Sequence, residues 1–307
     1  MLELINILKD ILLPIFIIMG IGFFLQKKFQ LNLDTLAKLN IYFLVPGFIF
    51  VKLYSVTFSG AIFLDIVLFF IIYIVLLFIL SQSFSKLQKV NKAKRTTLSN
   101  GVVFFNSGNY GVPVNDLVFK SDPLAMSVQV IILTMQNIFT FTYGIFALQS
   151  LKTGKLNALL GYFKMPILYA VVIAIILNYF NVSIPSFIWT SSNYIADAMI
   201  AIALIMLGAQ VAQLKFKFEL STVYIHILLR LVLGPLIAFL IILVLGLDGM
   251  IAQAVFIASA MPTSVNSSVI AQEYNNYPDI AAQIVLLSTI FSAATVTGVI
   301  YLSKLLF

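Results

Sequence analysis

The fold is decided by residues 105–116, which read Phe-Asn-Ser-Gly-Asn-Tyr-Gly-Val-Pro-Val-Asn-Asp and interrupt a long apolar run. Pro113 removes a backbone amide donor and clashes with the preceding helical turn. Gly108 and Gly111 lower helix propensity and permit unusual backbone dihedrals. We therefore predict that the helix containing this stretch is broken.

A second stretch of the same kind covers residues 259–268, which read Ser-Ala-Met-Pro-Thr-Ser-Val-Asn-Ser-Ser. Pro262 removes another amide donor, and the neighbouring hydroxyl and amide side chains can replace the hydrogen-bond partners that a broken helix loses. The chain therefore contains two polar breaks in apolar surroundings.

The composition predicts an all-α polytopic membrane protein. Of the 307 residues, 62% are hydrophobic and 9% are charged, against about 45–50% apolar residues in soluble domains. Because a spanning helix needs roughly 20 apolar residues, the chain is long enough for about ten. The predicted spans are residues 7–26, 36–54, 61–84, 96–119, 123–150, 160–180, 188–212, 219–246, 250–273 and 278–305. The two breaks fall in spans four and nine.

The charges and the lack of cysteine exclude several other classes of protein. With zero cysteines, the chain is not a disulfide scaffold. The net charge of +7 does not indicate a nucleic-acid partner, because the basic residues lie in short clusters between apolar runs. Thirteen basic residues fall in the loops after spans one, three, five and seven, and four fall on the opposite face. The positive-inside rule therefore predicts that both termini are extracytoplasmic.

The chain divides into two halves of five spans, residues 1–151 and 159–307, joined by a polar cytoplasmic connection at residues 152–158. Because five is odd, the second half enters the membrane from the opposite face, which makes an inverted repeat. Pro14 and Pro166 open the first span of each half, and the breaks lie in the fourth span of each half. A chance alignment of two apolar halves is the alternative.

Two breaks at matching positions are the best sequence indication of a binding site at the membrane midplane. The N-terminus of each second half-helix favours an anion, whereas the free carbonyls that end each first half-helix favour a cation. A small carboxylate is the expected ligand. The candidate substrate-binding residues are Asn106, Ser107, Gly108, Asn109, Tyr110, Gly111, Pro113, Met261, Pro262, Thr263, Ser264 and Asn266. A pair of proline-kinked packing helices without a site is the alternative.

At these residues the chain resembles the auxin efflux carrier family, which includes plant carriers and bacterial malate and malonate permeases. The resemblance covers the whole length and is most specific in residues 39–46, 106–113, 230–235, 260–263, 271–275 and 278–280. It implies the fold of sodium/proton antiporters and bile-acid symporters. Spans one, two, six and seven would form a scaffold, and spans three to five and eight to ten a moving transport domain.

The resemblance also implies a homodimer formed through the scaffold helices. The chain departs from the family where it reads Met165-Pro166, since members often have Asn-Pro there. It also lacks the long hydrophilic loop of the plant carriers, which favours a compact permease of the bacterial cytoplasmic membrane.

Three charged residues are candidates for a counter-charge or coupling role, because ionisable groups inside a membrane are costly. Arg230 either balances an anionic substrate or Asp197, or it braces the transport domain or snorkels to the interface. Asp197 carries a proton or cation, or it lies in a scaffold pair or an outer aqueous position. Asp116 either binds a coupling cation or pairs with Lys120. A lone His226 cannot form a metal site.

Amides in other spans either bond between helices or line a path: Gln136, Asn137, Gln210 and Gln213. No cofactor is expected, apart from H+ or Na+ as a coupling ion. We expect a secondary transporter that moves a small organic anion by alternating access, with that anion and membrane lipid as partners. A channel or a membrane sensor on the same fold is the alternative.

An enzyme is not expected. The sequence has no HExxH motif and no GxGD-like motif, and its one histidine has no nucleophile beside it. A phosphate-binding loop of the GxxxxGK[ST] kind is also lacking, so direct use of ATP is not expected.

Overall fold

A computed structural model describes residues 2–55, 60–144, 147, 166–213 and 220–307. Seven helices in this part of the chain are long and apolar enough to cross a membrane. The predicted connection at residues 152–158 lies outside the described residues. The count of ten crossings and the inverted repeat stay predictions.

We number the helices in chain order. The first half contains α1 (Glu3–Phe29), α2 (Leu33–Tyr54), α3 (Gly60–Leu87), α4 (Lys92–Val103), α5 (Val112–Phe119) and α6 (Pro123–Gly144). The second half contains α7 (Pro166–Tyr179), α8 (Ser186–Gln213), α9 (Thr222–Leu245), α10 (Gly249–Ser259), α11 (Val265–Glu273) and α12 (Pro278–Leu306). A π-helical turn, Ser107–Gly111, leads into α5.

In the described residues, each predicted span coincides with one of these helices or with a pair of them. Span four is the pair α4 and α5, and span nine is the pair α10 and α11. Several helices extend beyond the predicted apolar run, as α1 does where it includes Lys27 and Lys28 before it ends at Phe29. The reason is that a polar last turn can remain helical in the headgroup region, where hydropathy alone predicts the end of a span.

Helix α8 packs against α1 and α2, and α2 also packs against α7. A Cβ atom on Gly22 would overlap the backbone of Ile205, and one on Gly208 would overlap the backbone of Met19. Glycine at both positions therefore lets the two backbones touch, as small residues do between membrane helices.

The chain begins and ends on the same face of the molecule. Lys304, near the end of α12, lies with its Nζ 3.7 Å from Oε1 of Glu3 at the start of α1. The interrupted stretches lie in the core, because residues 97–107 and 254–265 are buried without exception. Irregular backbone at membrane depth is tolerated only under such cover.

Candidate functional site

The two interrupted stretches cross in the core and pair through their backbones. The amide of Asn106 donates to the carbonyl of Pro262 at 2.8 Å, and the amide of Ser264 donates to the carbonyl of Phe104 at 2.7 Å. These bonds flank an antiparallel bridge between residue 105 and residue 263. Both helices are therefore broken where they meet. The extended backbone of each break supplies hydrogen-bond partners to amides and carbonyls of the other.

The second half of each broken pair starts with the polar residues of the break. In the first pair the helix resumes at the π-helical turn Ser107–Gly111, and Pro113 lies one turn further on, at the start of α5. Ser264 is the N-cap of α11, and its Oγ accepts a hydrogen bond from the amide of Asn266 at 3.3 Å. Gly111 allows close packing at the crossing, because a Cβ there would lie 2.6 Å from Nε2 of Gln129.

A cavity of about 60 Å³ lies beside the crossing. Amide side chains dominate its polar lining, and they come from α2, α6, α8 and both broken helices: Asn40, Asn106, Asn109, Gln136, Asn137, Gln210 and Asn266. Within the described part of the chain, none of the lining side chains is charged. Any charge preference that the lining gives this cavity therefore comes from dipoles, those of the backbone and those of the side-chain amides.

Four of these amides each carry a buried polar atom that has no hydrogen-bond partner: Oδ1 of Asn40, Nδ2 of Asn106, Oε1 of Gln136 and Oε1 of Gln210. The other end of two of them is bonded. Nδ2 of Asn40 donates to Oδ1 of Asn109 at 3.3 Å, and Nε2 of Gln136 donates to Oγ1 of Thr140 at 3.1 Å. Because an unpaired buried polar atom costs about 1–3 kcal/mol, four around one cavity point to a polar ligand or ordered water.

Two helix N-termini set the electrostatics of the cavity. The turns that follow the breaks, residues 107–109 and 264–266, both line it. First-turn amides have no acceptor in their own helix, and each helix N-terminus carries about half a positive elementary charge. Two such ends sum to about one positive charge, so the arrangement suits one anionic group.

The structure places six of the predicted substrate-binding residues at the cavity wall: Asn106, Ser107, Gly108, Asn109, Ser264 and Asn266. The other six lie behind it. Tyr110 is fully buried, and its hydroxyl accepts a hydrogen bond from Oγ of Ser292 at 3.0 Å. Thr263 is also fully buried, and its Oγ1 donates to the carbonyl of Gly101 at 2.6 Å. Met261 packs in the core, and Gly111, Pro113 and Pro262 shape the crossing.

The three charged candidates lie away from the cavity. Arg230 is fully buried against backbone carbonyls, whereas Asp197 is exposed on α8, so these two do not pair. Asp116 accepts a hydrogen bond from Oγ of Ser121 at 3.0 Å. Its predicted ion pair with Lys120 is absent from the described residues, because Lys120 ends α5 in the left-handed conformation.

Among the amides that line the cavity, Asn40 is the one that the sequence analysis did not propose as a candidate. It lies in the second predicted span, and the available signal was an amide inside an apolar run. Gln136, Asn137 and Gln210, for which the sequence left two roles open, all line the cavity.

Comparison with known proteins identifies relatives along almost the whole chain. A family model described as membrane transport protein matches residues 8–300. The chain is 27% identical over 308 residues to "Uncharacterized transporter YfdV" of Escherichia coli (strain K12), which covers 96% of this chain and 97% of that protein. It is 26% identical over 302 residues to "Uncharacterized transporter MJ1031" of Methanocaldococcus jannaschii, which covers 92% and 94%. A shorter match, 30% identical over 113 residues and covering 36% and 35%, is to "Putative malonate transporter" of Rhizobium meliloti.

Proposed function

Since the chain belongs to the membrane transport protein family, the auxin efflux carriers, we propose that it is a secondary transporter of a small organic anion. The substrate binds in the cavity where the pair α4 and α5 crosses the pair α10 and α11. Alternating access then exposes this cavity to one side of the membrane at a time.

One observation carries the proposal: two helix N-termini face a cavity whose described lining has no charged side chain. About one positive charge from the two dipoles is left for a ligand to balance. A single carboxylate supplies the one negative charge that balances it. The side-chain amides of Asn109 and Asn266 can donate hydrogen bonds to the carboxylate oxygens. Hydrogen bonds to an ionised acceptor are roughly twice as strong as neutral ones, which favours an anion over a neutral solute.

The size of the cavity supports a small substrate. Its volume of about 60 Å³ is far below the roughly 300–1,000 Å³ of pockets for drug-sized ligands. Malonate, named for the Rhizobium meliloti relative, is a small dicarboxylate, and one of its two carboxylates can balance the helix N-termini; its size suits this cavity better than that of a bulky amphipathic acid.

Reconstituted uptake tests the proposal. Purified protein in proteoliposomes is given labelled malonate, malate or a bulky aromatic acid, with an imposed proton gradient, a sodium gradient or neither. We expect saturable uptake of at least one small carboxylate, competed by the unlabelled acid and absent from empty liposomes. No flux of any acid under any gradient, with protein that melts cooperatively, would contradict the proposal. Uptake that never saturates would indicate a channel.

A further inference from the structure

Arg230 joins the ends of the two first half-helices. It lies in α9 and is fully buried. Its Nη1 donates to the carbonyl of Val102 at 3.1 Å, and its Nη2 donates to the carbonyl of Ser259. Val102 lies in the last turn of α4, and Ser259 is the last residue of α10. One guanidinium therefore sits where both C-terminal ends converge.

The charge of this guanidinium is balanced without an acidic side chain. Among the described residues, no carboxylate lies within ion-pair distance of Arg230. Each helix C-terminus carries about half a negative elementary charge, so two of them offset about one positive charge. The rings of Tyr73 and Phe105 lie with their centroids 5.6 Å and 5.0 Å from Cζ and add cation–π attraction.

Tyr73 completes the cluster. Its hydroxyl accepts a hydrogen bond from Nη2 of Arg230 at 2.6 Å and donates to the carbonyl of Ser259 at 2.9 Å. Two groups thus bond to the last carbonyl of α10. A free cation entering this place would find carbonyl oxygens that already have donors.

We propose that Arg230 is a built-in cation, which fills the position where the converging carbonyl ends would otherwise bind a metal ion. Transport therefore needs no sodium ion bound at the crossing. This inference rests on the proposed function. In this scheme each pair of helix ends is balanced by a charge of its own. Arg230 balances the two C-terminal ends, and the substrate anion balances the two N-terminal ends.

The residue type matters to this role. A guanidinium presents its donors in a planar fork, so one arginine side chain reaches the carbonyls of both helix ends. Because Arg230 does not line the cavity, it is a positioning residue: it holds the ends of α4 and α10 beside each other and acts on the substrate only through the crossing.

The first test uses the unaltered protein. Initial uptake is compared in proteoliposomes with sodium, with potassium and with choline as the only external cation, at constant ionic strength and membrane potential. We expect the same rate in all three. Loss of uptake without sodium would overturn the inference while leaving the proposed function standing.

The second test is chemical rescue, and it does not depend on transport. Arg230→Ala opens a space lined by the carbonyls of Val102 and Ser259 and by the hydroxyl of Tyr73. We expect this variant to melt at a lower temperature, and millimolar guanidinium to raise its melting temperature saturably where tetramethylammonium does not. Arg95→Ala, which removes the other arginine of the chain, is the matched control and should not respond. An equal response in the unaltered protein, or none in Arg230→Ala, would overturn the inference.

Two further variants decide the matter if Arg230→Ala does not fold. Arg230→Lys keeps the charge, and Arg230→Met keeps the length of an apolar stem. We expect the lysine variant to insert in the membrane and retain uptake, and the methionine variant to lose both. Equal yield and equal uptake for the two would show that the charge is not needed.

Discussion

Asn109 and Asn266 each project from a different broken helix into the same cavity. We predict that Asn109→Ala and Asn266→Ala each weaken substrate binding, because each removes a hydrogen-bond donor to a carboxylate. Such a bond contributes about 1.5–3 kcal/mol, which corresponds to about 10- to 150-fold in affinity. The measurement is the apparent affinity in competition binding to purified protein.

Asn193→Ala is the control for both variants, because the side chain of Asn193 donates to the carbonyl of Trp189 on its own helix and does not line the cavity. It should bind substrate as the unaltered protein does. Unchanged affinity in Asn109→Ala and Asn266→Ala together would remove these residues from the binding site.

A substitution at Thr263 should change the stability of the protein without changing its affinity for substrate. The hydroxyl of Thr263 donates a hydrogen bond to the carbonyl of Gly101 and does not line the cavity. Thr263→Val therefore leaves a buried carbonyl without this partner. We predict a loss of about 1–3 kcal/mol in stability, seen as a lower melting temperature, with substrate affinity of the folded protein unchanged. Thr263→Ser keeps the hydroxyl and should melt close to the unaltered protein. A large fall in affinity in Thr263→Val at unchanged stability would place this residue at the cavity wall.

The breaks in the helices could be predicted because the residue types within each stretch determine them locally. Pro113 and Pro262 each remove an amide donor, and the Gly, Asn, Ser and Thr residues around them lower helix propensity and supply replacement partners. The family assignment followed from the same stretches and is confirmed by the match to residues 8–300.

The sequence did not predict the rotation of each helix about its axis, which decides which side chains point into the cavity. Asn266 lines the cavity, whereas Thr263, three residues earlier, faces the end of α4. Asn40 and Gln210 reach the cavity from α2 and α8, where residues 39–44 and 198–212 are otherwise apolar. With apolar residues on every side, hydrophobic periodicity does not fix the rotation of a helix, and only the packing of its neighbours does.

The contact between α1 and α8 depends on glycine. We predict that Gly22→Ala and Gly208→Ala both lower the melting temperature, because each new Cβ would overlap the backbone of the other helix and push the pair apart. Gly20→Ala is the matched control on α1: no atom lies within 4 Å of its Cβ position, and alanine improves helix propensity by about 1 kcal/mol. Equal melting of Gly20→Ala and Gly22→Ala would contradict the close contact.

The orientation of the molecule in the membrane can be tested because the chain has no cysteine of its own. Glu3 and Lys304 lie on one face, and the distribution of basic residues predicts that this face is extracytoplasmic. We predict that Lys304→Cys is labelled by a membrane-impermeant thiol reagent in intact cells. Lys28→Cys, at the other end of α1, should be labelled only after permeabilisation. The reverse pattern would invert the orientation.

The fold brings four helix ends together in the core. The most direct test of the proposed binding site is a density map of the protein with a saturating concentration of the transported carboxylate. We predict ligand density between residues 107–109 and residues 264–266, with a carboxylate oxygen within hydrogen-bond distance of Asn109 or Asn266. Ligand density away from both first turns, or two continuous helices in place of the crossing, would contradict the account.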